Sequence, residues 1–220
     1  MSRKEILLGL SKPIGYYIHD REVMLRFIPQ NVTKVLDVGC GEGNFAKKVK
    51  DKTCAEVWGA EINEDIGLIA SPKIDKLIKG DISVKINELP NKYFDCIIFN
   101  DVLEHLTDPY NLLIKIKDKL TDEGVVVCSI PNVLHTSVIK ALIVNKNWKY
   151  TDSFVLDKTH LRFFTKKSII DMFRSSGYIL IKIQGINPNN SLGCWIFNIL
   201  TFGYYWESRY LQYACVVKQE

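Results

Sequence analysis

Short apolar runs bounded by turn residues alternate with amphipathic stretches through the first two thirds of the chain. Residues 34–38 (KVLDV), 56–62 (EVWGAEI), 77–79, 94–99 (FDCIIF) and 125–130 (VVVCSI) read as five strands, the last stopped by Pro131. Between them, 44–49, 64–70 and 109–120 read as helices. The third of these carries apolar residues at 112, 113, 116 and 120 on one stripe, and Asp108 ahead of Pro109 supplies a cap and a first-turn proline. Strands alternating with helices argue for an α/β fold, a parallel sheet covered on both faces. Beyond residue 131 the pattern loosens: 134–144 is helical in pattern and 145–163 mostly loop. A helix over 166–175 follows, capped by Thr165 and closed by Gly177. Residues 178–183 form a sixth strand and 210–217 a final one.

At 220 residues, with 47% hydrophobic and 25% charged side chains, the chain has the material for one well-cored domain, and 1–220 is read as one. Within it, 1–30 is a capping segment, 31–130 a ligand-binding core, and 131–220 the part facing a second substrate. The net charge of +4 comes from lysines scattered at spacings of solvated helix faces, without interleaved aromatics, so a nucleic-acid partner is not expected. The six cysteines form no CxxC pair and no Cys/His ligand spacing, which points to a reducing, cytoplasmic setting and no zinc. The opening MSRKEILLGLSKPIGYY has too short an apolar stretch for a signal peptide, and no run reaches membrane-spanning length. The nearest candidate, CWIFNILTFGYY over 194–205, is broken by Asn198 and Gly203. It is read as packing against the domain or a partner subunit, which makes a homodimer plausible, with membrane-surface contact as the alternative.

The most informative run is Val35-Leu36-Asp37-Val38-Gly39-Cys40-Gly41-Glu42-Gly43. It ends an apolar strand in a carboxylate followed by three glycines, which permit positive φ and a close backbone approach to a ligand. A dinucleotide fingerprint would need glycine at 44, where Asn stands, and Asp37 would repel a pyrophosphate, so a nicotinamide-dependent oxidoreductase is disfavoured. Asp37 favours instead a ligand with an ammonium group. The segment DVGCGEG resembles the first motif of class I S-adenosylmethionine-dependent methyltransferases. That resemblance implies a Rossmann-like seven-stranded sheet, mostly parallel, with the last strand inserted antiparallel between the fifth and sixth. It also implies S-adenosylmethionine as cofactor and S-adenosylhomocysteine as product.

Ligands of such sheets bind beyond the carboxyl ends of the strands. Glu61, with Ile62 beside it, ends the second strand about 20 residues past the glycine turn, the spacing of a carboxylate that accepts from ribose hydroxyls. By resemblance, Asp37, Gly39, Cys40, Gly41 and Gly43 form the cofactor turn, and Asp81 with Ile82 the adenine site. Asn100, Asp101 and Val102 then line the methionine side, with Tyr17 in a capping segment that also holds Tyr16 and Arg21. Asn100–Leu106 (NDVLEHL) resembles the xxLEHL segment of small-molecule methyltransferases, including the ubiquinone-biosynthesis O-methyltransferases, which places His105 near the methyl group. A helix-start histidine bonded to local backbone is the other reading of His105.

Residues 156–165 (LDKTHLRFFT), with Pro131-Asn132-Val133 upstream, resemble the DKTHxRFFT segment of methyltransferases associated with bacterial glycan and surface-polysaccharide biosynthesis. His160 is the candidate base for an acceptor hydroxyl, Asp157 its support, and Arg162 a steering charge. Asp157 and His160 alone are too few ligands for a metal, and none is expected. The expected reaction is methyl transfer to a small-molecule or carbohydrate acceptor at oxygen. Nitrogen transfer and a non-catalytic cofactor-binding scaffold remain the alternatives, and His19 and His135 have no assigned role.

Overall fold

The computed structural model describes residues 21–220, so the expected contributions of Tyr16 and Tyr17, and most of the 1–30 segment, lie outside the described residues. Seven strands form one sheet: β1 (Lys34–Val38), β2 (Glu56–Glu61), β3 (Lys76–Lys79), β4 (Phe94–Asn100), β5 (Leu120–Pro131), β6 (Tyr178–Pro188) and β7 (Tyr210–Gln219). Their order is β3-β2-β1-β4-β5-β7-β6, parallel from β3 to β5, with β7 antiparallel to both its neighbours. This is the Rossmann-like methyltransferase sheet expected from the resemblance. The order reverses direction at β1 and β4, the point where an open α/β sheet leaves a crevice beyond its strand ends.

Around the sheet lie α1 (Glu22–Leu25), α2 (Asn44–Thr53), α3 (Glu64–Ala70), α4 (Ile82–Lys85), α5 (Pro109–Ile116), α6 (Thr136–Ile143), α7 (Lys166–Ser175) and α8 (Leu192–Leu200). Side chains alternate across the strands into two cores. Leu36, Val38, Ile97 and Phe99 pack with Leu112, Leu113 and Ile116 of α5 and with Ile169, Met172 and Phe173 of α7. Val35, Val57, Cys96 and Ile98 pack on the opposite face with Met24 of α1 and with Phe45, Ala46 and Val49 of α2. Caps set the helix starts: Asp108 accepts from the Asn111 amide at 3.0 Å, and Thr165 and Ser168 close a reciprocal capping box.

Several boundaries differ from the sequence expectation. The third helix ends at Ile116 rather than 120, because a 3-10 turn over Lys117–Lys119 swings Leu120 into an extended conformation, where it pairs with Phe94 and starts β5 early. Strand β6 runs on to Pro188, since β7 beside it supplies partners as far as Tyr210. Residues 82–85 form a helical turn because Asp81 caps it through the Ser83 amide at 2.9 Å.

The 194–205 run packs against the domain only in part. Its first part is α8, which turns Cys194 and Asn198 inward and leaves Leu192, Ile199 and Leu200 exposed, followed by Phe202 at 99% exposure. Among the described residues no helix is long and apolar enough to cross a membrane.

Candidate active site

The glycine turn after β1 is built by its own hydrogen bonds. The Ala60 carbonyl accepts from the amides of Gly39 (2.7 Å) and Cys40 (3.2 Å), and the Cys40 carbonyl accepts from Gly43 (2.9 Å). Gly39, Gly41 and Gly43 adopt φ of +71°, +55° and +75°, the left-handed region that favours glycine. At Gly39 a Cβ would also meet Val102 Cγ2 at 2.6 Å, so this position needs hydrogen for space as well as for conformation. The amides of Gly39, Cys40, Gly41 and Gly43 are all engaged within the protein, which removes the donors a pyrophosphate would use.

Glu61 carries the rest of the turn. Its two carboxylate oxygens accept from the Gly41 and Asn63 amides, both at 2.9 Å, fixing the tip of β2 against the tip of β1. Burial raises the Glu61 carboxyl above its ordinary range, opposed by these backbone donors. Asp37, 3% exposed, is pushed up to about 7 by burial, with nearby Glu61 adding to the shift and Arg21 working against it. Two buried carboxylates side by side leave a strongly electronegative crevice, which a cationic ligand would relieve. Ile62 lies half-buried beside Glu61. Asp81 spends one oxygen capping α4, and Ile82 is buried behind it.

The tip of β4 holds a different chemistry. Asn100 is 2% exposed, yet both Oδ1 and Nδ2 are without a hydrogen-bond partner among the described residues. Buried amides are rarely left so. Asp101 takes φ +55°, a strained position for a residue with a side chain. It is held there by Ser129 Oγ at 2.8 Å, Gln212 Nε2 at 2.6 Å and Arg21 Nε at 3.3 Å.

The segment 156–165 packs directly onto the turn that follows β4. The Glu104 carbonyl accepts from the amides of Leu161 (2.9 Å) and Arg162 (3.1 Å), so one backbone oxygen clamps the two loops together. His105 and His160 meet edge to face with ring centroids 4.7 Å apart. His105 Nδ1 lies 3.1 Å from the Thr159 carbonyl, and His160 Nδ1 lies 2.9 Å from the Val155 carbonyl. A carbonyl can only accept, so Nδ1 carries the hydrogen in each ring and the lone pair of the neutral ring sits on Nε2. Asp157 Oδ1 accepts from the Thr159 amide (2.8 Å) and hydroxyl (2.7 Å), bracing the turn from which His160 projects, while the imidazole Nδ1 is oriented by Val155. Arg162 is exposed and spends its guanidinium on the Thr107 carbonyl.

A cavity of about 310 Å³ opens here, lined among others by Asp101, Glu104, His105, Asp157, His160 and Gln212. The crevice residues Asp37, Glu61 and Asp81 stand outside this lining, so the site has a sheet-tip half and a loop half that meet at Asp101. A wider groove of about 650 Å³ continues from it past Phe154 and Val155 and is lined by Asn145, Asn147, Asn187 and Asn189.

Sequence reasoning left Glu104 and Gln212 without roles. Glu104 lay in a quoted segment, but its burial (1% exposed) is a tertiary fact; burial and the neighbouring Asp101 charge raise its carboxyl well above the ordinary range. Gln212 reaches Asp101 only because β7 inserts beside β5.

A family model described as a methyltransferase domain matches residues 15–183. An uncharacterized protein of Haemophilus influenzae is 28% identical over 121 residues, 51% of this chain and 48% of that protein. An uncharacterized methyltransferase of Mycobacterium tuberculosis is 26% identical over 119 residues, 52% of this chain and 59% of the relative. The chain thus spans about half the length of the curated relatives it matches. Among solved structures, a SAM-dependent methyltransferase from Archaeoglobus fulgidus superposes with a TM-score of 0.69 at 21% identity, covering 93% of this chain and 97% of that one. The Burkholderia thailandensis 1,6-didemethyltoxoflavin-N1-methyltransferase, with bound 1,6-didemethyltoxoflavin and S-adenosylhomocysteine, superposes with a TM-score of 0.63 at 11% identity, covering 99% and 86%.

Proposed function

Because the chain belongs to the methyltransferase-domain family whose model it matches over residues 15–183, we propose that it is an S-adenosylmethionine-dependent enzyme that methylates a hydroxyl of a small-molecule or glycan acceptor. The observation that carries the cofactor half is the buried Asn100 amide without partners, beside the electronegative pair Asp37 and Glu61. Asn100 and Asp101 would take the amino acid end of the cofactor, Asp37 would offset its ammonium, and Glu61 would accept from the ribose. Asp81 and Ile82 would meet the adenine. Bound S-adenosylmethionine supplies an electrophilic methyl on a cationic sulfur and departs as S-adenosylhomocysteine.

The chain's own work is alignment, exclusion of water and handling of one proton. Fixing two reactants in near-attack geometry is worth roughly 7–11 kcal/mol, and a positioned base adds about 10² to 10⁴ in rate. His160, 8% exposed on the cavity wall with its lone pair on Nε2, can take a hydroxyl proton, while His105 packs against it and Asp157 braces their loop. The asparagine-lined groove supports a hydroxyl-rich acceptor, because amide side chains both donate to and accept from hydroxyls. This agrees with the glycan-associated resemblance of 156–165, in a cytoplasmic setting, where all six cysteines stay free. The exposed apolar side of α8 supports pairing of two copies.

Calorimetric titration with S-adenosylmethionine, S-adenosylhomocysteine and NAD tests the reading. Saturable binding of the first two alone is expected. No binding by folded protein would overturn it in favour of a scaffold whose crevice has lost its ligand.

A further inference from the structure

Glu104 presents an unsolved problem of charge and hydrogen bonding. It is 1% exposed, and neither carboxylate oxygen has a hydrogen-bond partner among the described residues. Protonation alone does not solve it, since the acceptor beside a carboxylic acid O–H, His160 Nε2, stands at 3.9 Å, beyond hydrogen-bond reach. What stands beside it is imidazole: His160 Nε2 lies 3.9 Å from Glu104 Oε1, and one ligand atom each from Glu104, His105 and His160 lie within 4.8 Å of one another. Both rings are oriented by backbone carbonyls at Nδ1, which puts the coordinating lone pair on Nε2. Such outer hydrogen bonds are the arrangement that orients metal-bound histidines.

We propose that Glu104, His105 and His160 form a site for a divalent first-row transition ion, such as manganese, iron, cobalt or zinc. Two imidazoles and a carboxylate suit these ions better than magnesium or calcium, which favour all-oxygen shells. Ligands at about 2.1 Å around a tetrahedral ion stand about 3.4 Å apart. The separations here, up to 4.8 Å, therefore close on an ion with a contraction of up to about 1.4 Å, shared among three side chains. The sequence expectation of no metal weighed only Asp157 and His160, whereas Glu104 and His105 arrive from the turn after β4 and meet His160 only when the Glu104 carbonyl clamps the two loops.

Three protein ligands leave coordination positions facing the 310 Å³ cavity, where Asp101 also lies. The site stands on its own geometry; its chemical use rests on the methyltransferase reading. A cation there would bind the acceptor hydroxyl and lower its pKa, replacing the base role given to His160 in the metal-free reading above: the proton would leave to water and His160 would serve as ligand. Acceptors with two adjacent hydroxyls, able to chelate, are then the favoured class.

The test is metal binding by full-length protein stripped with chelator, titrated with Mn²⁺, Co²⁺ and Zn²⁺ by calorimetry. The visible spectrum of the cobalt form and S-adenosylhomocysteine binding are measured on the same preparation. One ion per chain is expected, with the Glu104→Gln and His160→Ala variants each weakening binding by about a hundredfold or more. Circular dichroism and thermal melts establish that the variants are folded, and His105→Ala provides a third reading should one fail. Absence of saturable metal binding in the wild type, or binding unchanged in the folded variants, overturns the site. Absence of metal binding by the wild type with S-adenosylhomocysteine binding intact refutes this proposal alone, whereas metal binding without any cofactor binding refutes the methyltransferase reading and leaves the site standing.

Discussion

Replacing Asp37 by Asn should stabilise the protein while disabling it. Burial pushes the Asp37 carboxyl from 3.8 to about 7. The native state therefore holds more protons than the unfolded state between those two values. Stability falls as pH rises through that window, then stays level above pH 7. A displacement of about three pK units corresponds to about 4 kcal/mol at most, since each unit is about 1.4 kcal/mol and water reaching the crevice would ease the charge. Asn is uncharged at every pH and close in shape. The variant should match the wild type near pH 4 and pull ahead as pH rises, by several degrees of Tm at pH 8 given roughly 2–4 °C per kcal/mol at this chain length. Urea denaturation and thermal melts at pH 4, 5, 6, 7 and 8 without ligand measure the difference. Calorimetry at pH 8 should then find S-adenosylmethionine affinity lowered about a hundredfold in the variant. A stability difference that does not change between pH 4 and pH 8 would refute the claim that Asp37 is held ionised at a cost, and with it the reason for expecting a cationic ligand there.

Gly39→Ala should destabilise the fold by about 1–3 kcal/mol, because the added Cβ meets Val102 Cγ2 at 2.6 Å and φ is +71°. A urea midpoint within error of the wild type would count against this. His160→Ala should lower turnover by about 10² or more while S-adenosylmethionine affinity changes less than about threefold, since the cofactor residues lie on the other half of the site; unchanged turnover would remove His160 from the chemistry. Ile199→Asp combined with Phe202→Asp should abolish any self-association seen by sedimentation velocity, as both residues are exposed and apolar. A dimer that survives both changes would place the interface elsewhere.

The sheet was legible because its strands carry local signals. The buried parallel strands β1, β2 and β4 are largely apolar runs, each with a polar residue at or next to its carboxyl end, which the topology sends to one edge. Asp37, Glu61 and Asn100 could be found this way, since each sits at a strand tip and neighbouring tips are close by construction. What escaped depended on contacts distant in sequence. Pairing of Leu120 with Phe94 shortened a helix whose periodic stripe ran on to residue 120. The Val155 carbonyl, which orients His160, is a backbone group with no sequence signature at all. The inward turn of Cys194 and Asn198 in α8 was hidden because periodicity shows that a helix is amphipathic, and here the polar and small residues face the protein while the apolar ones face out.

The division of the site has a consequence for specificity. The proposed cofactor contacts come from strand tips fixed by parallel register and by Glu61, which ties the tips of β1 and β2 through the Gly41 and Asn63 amides. The acceptor side comes from 145–164 and the ends of β6 and β7, tied to the core by a few hydrogen bonds such as the two amides on the Glu104 carbonyl and the Val133 amide on the Phe164 carbonyl. Loop residues whose side chains only line the groove, such as Asn145 and Asn147, lie beyond those ties. They can change the acceptor accommodated without moving His105, His160 or the crevice around Asp37. Loops on a rigid scaffold are where binding diversifies at least cost to stability. On the proposed reading, acceptor choice would be carried by the asparagine-lined groove, and the methyl-transfer geometry by the clamp at Glu104.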